Sequence, residues 1–177
     1  MIMTIKELRQ YIETNETDAV LEAKLQALEL LIRSYTHNNF QDRNRRFRCD
    51  VSALNGLHFA SILFNVGDTV QLSESAFNSG LYTITSIDMD NGCMGLYEGL
   101  IDESDVLVTK VFYPMDVKMG VGNMMKWDLE NRDKVGIQSE TLSRHSVTYF
   151  NMDGDNSSMG YPKSLLGFLK PYIRARF

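Results

Sequence analysis

The hydrophobic period of this chain changes twice, and that change limits the folds open to it more than any single motif does. From Asp18 to His37 the apolar residues Leu21, Leu25, Leu28, Ile32 and Tyr35 are spaced 4, 3, 4 and 3 apart, the stripe of a helix packed on one side. Asp18 and Glu22 fall early in it and Arg33 late, as the helix dipole favours. From about Arg46 to Tyr113 the period becomes two, and β-branched and aromatic residues collect between turn signals. GDTVQLS, GLYTITSID, GCMGLYEG and DVLVTKVFY read as four strands and RRFRCDV as a fifth, with turns at 65–67, 78–80, 90–92 and 102–104. Five short strands in so short a stretch suggest a small antiparallel barrel of the SH3-like kind. After Pro114 the helical period returns, with Val117, Val121, Met124, Met125 and Leu129 as the buried face. The expected fold is therefore α+β: a helical core from residues 1–45 and 114–177, and a five-stranded barrel inserted at 46–113.

The ends add shorter elements. Thr4 and Glu7 form a capping-box pattern, which predicts a helix over 5–12 before Asn15 to Asp18 break it. Gly120 and Gly122 weaken the third helix by about 1 kcal/mol each relative to alanine. Ser146 to Phe150 alternates like a strand, and NMDGDNSSMG reads as a mobile polar connector. Pro162 starts a last helix, about the fourth, whose contacts are Leu165, Leu166, Phe168 and Leu169 and which Pro171 is expected to stop.

A chain of 177 residues buries at most two compact cores. Its 44% hydrophobic and 23% charged content suits neither global disorder nor a membrane protein. The longest charge-free run, 51–67, contains Asn55, His58, Ser61 and Asn65 and is too polar for a span of about 20 apolar residues. No secretory signal pattern opens the sequence, so a cytoplasmic place of synthesis is expected. Cys49 and Cys93 lack CxxC spacing and read as buried free thiols. The net charge of -5 is unevenly distributed. Residues 65–109 hold eight acids and no lysine or arginine, whereas Arg43, Arg45, Arg46 and Arg48 are clustered and residues 156–177 pair four bases with no acid.

Catalytic patterns are thin. His37, His58 and His145 lie in separate segments, none in HExxH, and no GxSxG marks a nucleophile. His37 reads as the end of a helix. Ser143, Arg144 and His145 are adjacent, and neighbours in an extended chain face opposite ways. Gly120-Val121-Gly122 lacks the GKS or GKT ending of a phosphate loop, and Asp153-Gly154-Asp155 lacks the later glutamate of a calcium loop. Trp127, Met124 and Met125 read as core or subunit interface. No catalytic residue, cofactor or metal is expected. The arginines at 43–48 could meet phosphates, but the acidic β segment would repel a duplex. They read better as a solvated loop or as partners for an acidic neighbouring subunit.

One ordered set of short motifs carries a resemblance. Two N-terminal helices and a third are followed by Gly136, Ile137, Ser139, Glu140 and Thr141, then Ser146 to Tyr149, a polar loop, Gly160 to Lys163, and finally Leu169, Tyr172 and Arg174. This order resembles the head-tail connector proteins of long-tailed phages, also called adaptor or head-completion proteins, over roughly residues 4–46 and 113–177. The resemblance implies a non-enzymatic virion protein that forms a homo-oligomeric ring, usually dodecameric, beneath the portal protein after DNA packaging. Such a ring extends the DNA channel and presents a platform for the stopper or tail-completion protein. Viral DNA passes its lumen without specific binding, and no membrane or cofactor is involved. Within that expectation the basic terminal arm, with Lys170, Tyr172, Arg174, Arg176 and Phe177, suits an acidic surface on the portal. The short extended strand at Ser146, Val147, Thr148 and Tyr149 suits the edge of a neighbouring subunit, with Arg45 and Arg46 as salt-bridge partners. The alternative reading is a nucleic-acid- or partner-binding module built on the barrel.

Overall fold

The computed structural model of the chain describes residues 1–97, 99–135, 139–142, 145–148 and 154–175. They divide into two units, one of residues 1–4 and 38–113, the other of 5–37 and 114–177.

The first unit is a closed antiparallel barrel of six strands: β1 (Gln41–Ser52), β2 (Gly56–Leu57), β3 (Thr69–Ser73), β4 (Gly80–Asp88), β5 (Cys93–Leu96) and β6 (Glu103–Val111). Their order around the wall is β1-β2-β5-β4-β3-β6, and β6 closes on β1. Val51, Leu57, Val70, Leu72, Ile84, Met94, Val106 and Val108 fill the interior. Phe47 stacks on Phe59 at 3.8 Å and meets Phe64 edge-on at 5.5 Å, which covers that core with aromatic area. The sixth strand corrects the expected five. It is β2, two residues long within the polar run 51–67, and no alternation can develop over so short a piece.

The barrel boundary also differs from the expected 46. Strand β1 pairs with β6 from Gln41↔Val111 onward, so the residues read as a loop before the barrel form part of its wall. The buried Asn38 side chain accepts from the Phe40 amide at 2.9 Å, and the Phe112 amide donates to the Phe40 carbonyl at 2.8 Å. The chain thus enters and leaves the barrel on neighbouring strands. Ile2 and Met3 are buried and the Thr69 hydroxyl donates to the Met1 carbonyl, which explains why residues 1–4 belong to this unit.

In the second unit, α1 (Ile5–Leu8) loosens into a turn that ends with the Ile12 amide on the Leu8 carbonyl, shorter than the helix expected over 5–12. Helix α2 (Asp18–Thr36) is capped by Thr17, whose hydroxyl accepts from the Val20 amide, and ends at His37 in the left-handed region, φ 49°. Its expected stripe is buried at Leu21, Leu25, Leu28 and Ile32, with Tyr35 half-buried. Helix α3 (Met115–Asn131) buries Val117, Val121, Met124 and Met125. Beyond it come hairpin β7 (Ser139–Leu142) with β8 (His145–Thr148), the small pair β9 (Ser157–Ser158) with β10 (Tyr161–Pro162), and a 3-10 helix at Lys163–Tyr172.

Three expectations for this region change. The strand expected at Ser146 starts one residue earlier and pairs with β7, which sequence alternation did not mark; Tyr149 and Phe150 lie outside the described residues. The connector expected to be mobile contains β9, joined to β10 by Met159 and Gly160 at φ 55° and 76°, the two left-handed positions of a tight hairpin turn; residues 151–153 lie outside the described residues. The last helix has 3-10 geometry and keeps Pro171 inside it, because a proline without an amide is tolerated where the next closing bond, Ile173 to Lys170, bypasses it.

The glycines of α3 make room for neighbours. A β-carbon on Gly120 would overlap the Phe168 ring, and one on Gly122 would press on Tyr11. Gly120→Ala is therefore expected to destabilise despite the better helix propensity of alanine, by about 1–2 kcal/mol once overpacking and propensity are set against each other. A urea midpoint equal to or above that of the unsubstituted chain would refute this.

Candidate docking surfaces

The four clustered arginines lie on β1 of the barrel, not on a solvated loop. The register explains their layout: Asp42 pairs with Lys110 and Arg46 with the adjacent Thr109, so residues 43–45 leave the ladder as a bulge. Asp42 shapes it by accepting from the Asn44 amide at 3.1 Å and pairing with Arg45 at 3.5 Å. Beyond the bulge, the Arg46 Nε donates to Thr109 Oγ1 at 2.9 Å, and Arg48 bridges Glu74 and Asp105. Pairing β1 with β6 thus brings bases to the acids of 65–109, and buried Lys110 does the same for Asp68. The barrel unit still holds ten acids against five bases, while the helical unit holds thirteen of each.

At one end of the barrel, three connections are tied together by residues that sequence reading took only as turn signals. Asn78, 2% exposed, donates to the Ile101 carbonyl and accepts from the Ile101 amide, both at 2.9 Å, as a strand neighbour would. The Glu103 carboxylate accepts from the Ser75 hydroxyl at 2.5 Å, the Ala76 amide at 2.6 Å and Asn78 at 2.9 Å. Those bonds, Ser75 first, hold its carboxyl below the usual range. Asp102 accepts from the Ala53 amide at 2.8 Å. The loops so fixed expose Leu54, Phe77 and Ile101. The turn signals at 78–80 and 102–104 marked this end in the sequence, but not the burial of Asn78 or the bonds of Glu103.

A cavity of about 690 Å³ in the barrel brings His58, Cys93, Ser86 and Asp88 to one place. Asp88 uses its oxygens on its own turn, accepting from Asn91 Nδ2 and from the Asp90 and Asn91 amides, and the Asn91 side chain is the main reason its carboxyl is held low. The Cys93 thiol is half-buried and donates to the Asn91 carbonyl at 3.4 Å, so it departs from the expected buried state. Cys49 is buried, and burial first, with Asp50 beside it, pushes its thiol up to about 12, far from a reactive thiolate. Among the described residues no group of His, Cys, Asp and Glu could hold a metal ion, and no helix is long and apolar enough to cross a membrane.

In the helical unit, the Gly160-Tyr161 motif is an anchor. Tyr161 is buried against Trp127 at 5.4 Å and donates to Asp128 Oδ1 at 3.2 Å. Asp128 also receives Lys24 Nζ from α2 at 2.5 Å and Arg132 Nε at 2.6 Å. Arg132 covers both rings, 5.4 Å from Trp127 and 4.9 Å from Tyr161, and donates to the Gly160 carbonyl at 3.1 Å. Burial pushes the Asp128 carboxyl up, but the bonds and charges of Lys24 and Arg132 outweigh it and leave the group low. Burial first, then the charge of Asp128, pushes the Tyr161 hydroxyl up to about 12. Trp127 is thus part of an internal cluster, while Met124 and Met125 are core.

The basic segment assigned to portal docking is tied to this unit along most of its described length. Leu166 and Leu169 are buried, the Tyr172 hydroxyl donates to both oxygens of Asp116 at 2.7 and 2.8 Å, and the Arg174 amide donates to the Thr36 carbonyl at 2.8 Å, capping the end of α2. Lys170 and Arg174 are exposed; Arg176 and Phe177 lie outside the described residues. Ser146, Val147 and Thr148 are paired to β7, and Ser143 and Arg144 lie outside the described residues. No protein-family model matches this chain, and no curated protein is significantly similar to it in sequence.

Proposed function

We propose that the chain is a structural, non-enzymatic head-tail connector of a long-tailed phage, assembling as a homo-oligomeric, dodecameric ring beneath the portal and joining the capsid to the stopper or tail. In this reading the barrel is an SH3-like module inserted into a helical adaptor. One observation carries the proposal: residues 5–37 and 114–177, most of the two sequence blocks that bear the resemblance, form a single helical unit, with the signature Gly160-Tyr161 clamped by Asp128, Arg132 and Trp127, while residues 38–46 of the first block belong to the barrel. Neighbouring entry and exit strands let a barrel be inserted between α2 and α3 without a long connection on either side.

Lys170 and Arg174, with Arg176 and Phe177, are the portal-facing groups, and Tyr172 supports them through Asp116. The β8 residues Ser146 to Thr148, with Tyr149, serve contacts between copies, whereas Arg45 and Arg46, expected there too, are engaged within the copy by Asp42 and by Thr109 and Gln41. The acid excess of the barrel unit disfavours the nucleic-acid reading and suits a wall past which DNA slides.

Deleting residues 171–177 is a poor test, because it would also remove the Tyr172–Asp116 and Arg174–Thr36 bonds. Lys170→Glu with Arg174→Glu leaves both in place, since Arg174 uses its backbone there. The double variant is expected to bind isolated portal rings of the same phage about 10–100-fold more weakly, with the larger loss at low salt. Unchanged affinity would refute the docking assignment, and absence of the chain from purified virions by mass spectrometry would refute the function.

A further inference from the structure

We propose that the arginine bulge of β1 binds the acidic β4–β5 hairpin of a second copy of this chain, joining barrel to barrel head to tail. The inference deepens the ring reading, and rests on it for the requirement that copies associate.

It starts from which charges the barrel leaves over. Of the clustered arginines, Arg45 pairs with Asp42, Arg46 is held by Thr109 and Gln41, and Arg48 by Glu74 and Asp105. Arg43, exposed at the crest of the bulge, has no ion pair or hydrogen bond among the described residues. The acids sort in the same way. Asp68 holds Lys110, Asp50 accepts from the Asp105 amide, Asp102 from the Ala53 amide, Glu103 from the 75–78 loop, and Asp88 builds its own turn. The Asp90 carboxylate, at the exposed tip of the β4–β5 turn, has no such partner among the described residues, although the Asp90 amide donates to Asp88; Glu98 lies outside those residues.

Position completes the argument. In the order β1-β2-β5-β4-β3-β6, the turn that carries Asp90 joins β5 and β4, two and three strands from β1, so the spare base and the spare acid lie on different strands of one barrel. Complementary charges so separated are left for a second copy. They generate a heterologous contact, which closes into a ring when the rotation per copy divides a turn and otherwise runs on as a filament. Met89, 53% exposed beside Asp90, supplies apolar area against which a guanidinium can lie. Asp42 at the foot of the bulge and the acid excess of the unit argue against a phosphate backbone as the occupant.

Sedimentation of the full chain across concentration and salt tests the contact. The unsubstituted chain is expected to self-associate, more weakly as salt rises. Arg43→Glu and Asp90→Lys are each expected to weaken association by about tenfold, by turning an attraction into a repulsion at a rim contact. An equimolar mixture of the two, or both substitutions in one chain, should restore it, while circular dichroism shows each variant folded. A chain that stays monomeric throughout, an Arg43→Glu variant that associates normally, or a mixture that fails to recover would overturn the proposal. So would an Arg43→Glu variant whose only loss is of duplex binding. Portal docking measured in parallel separates the two claims. An Arg43→Glu ring that still assembles and docks sinks the bulge contact alone, whereas charge-swap rescue without any portal docking sinks the connector reading alone.

Discussion

Asp128→Ala is expected to cost the helical unit about 3 kcal/mol, towards the low end for breaking a buried ion pair because Lys24 and Arg132 are each more than a third exposed and regain water. That is a large part of the 5–15 kcal/mol typical of a whole domain. The loss should be concentrated where the network acts. Without the carboxylate, Tyr161 and Arg132 lose their shared acceptor, and the turn at Gly160 that leads into Lys163–Tyr172 loses its tie to α3 and α2. Asp128→Asn keeps the volume and separates charge from packing. Because the folded carboxyl is held below its ordinary value of 3.8, its contribution is complete above that pH and is lost as pH falls through the lower folded value. The native chain should therefore lose stability in acid by an increment that the Asn variant lacks. Urea midpoints at about pH 7 and about pH 3 read the difference. Equal acid dependence in the two chains would show that Asp128 does not hold the segment.

Periodicity found the parts of this fold that repeat over many residues and missed those made by one or two. The α2 stripe needs four buried leucines and isoleucines in register, and β3, β4 and β6 each run for at least five residues with β-branched or aromatic side chains between turn signals, so both were legible. Strand β2, β7 and the β9–β10 turn are too short for a period, and they exist because a neighbour offers them a partner edge. The docking surfaces divide similarly. Clustering made the arginines visible, but only pairing with β6 reveals that Arg46 and Arg48 are paired on the barrel's own surface and that Arg43 is pushed out on a bulge. The network around Asp128 was illegible for a related reason. Its members lie at 24, 128, 132 and 161, and no local spacing links an aspartate to a lysine on another helix. Gly120 was read as a weakness of α3, when the space it leaves is filled by Phe168.

Gly56→Ala is expected to have the second large effect, on barrel closure. Gly56 has φ 76°, where a side chain costs about 1–2 kcal/mol, and its β-carbon would overlap the Met94 carbonyl and lie 3.1 Å from the Gly95 Cα. Backbone cannot turn aside as Phe168 can, so overpacking adds roughly 1–3 kcal/mol, for about 3 kcal/mol in all. The position matters because β2 and β5 share a single register pair, Leu57↔Met94, and that pair closes this side of the wall. Opening it would turn β2 and β5 into free edges, which pair readily with other chains. Gly92 supplies the control. It too has positive φ, 67°, but a β-carbon there meets nothing within 4 Å, so Gly92→Ala should cost the conformational strain alone. The Gly56 variant is expected to show a lower unfolding midpoint and faster amide exchange at Leu57 and Met94 than the Gly92 variant. Equal midpoints would mean that dihedral strain, and not the approach of β2 to β5, sets the cost, and that the one-pair seam is not what keeps the barrel closed.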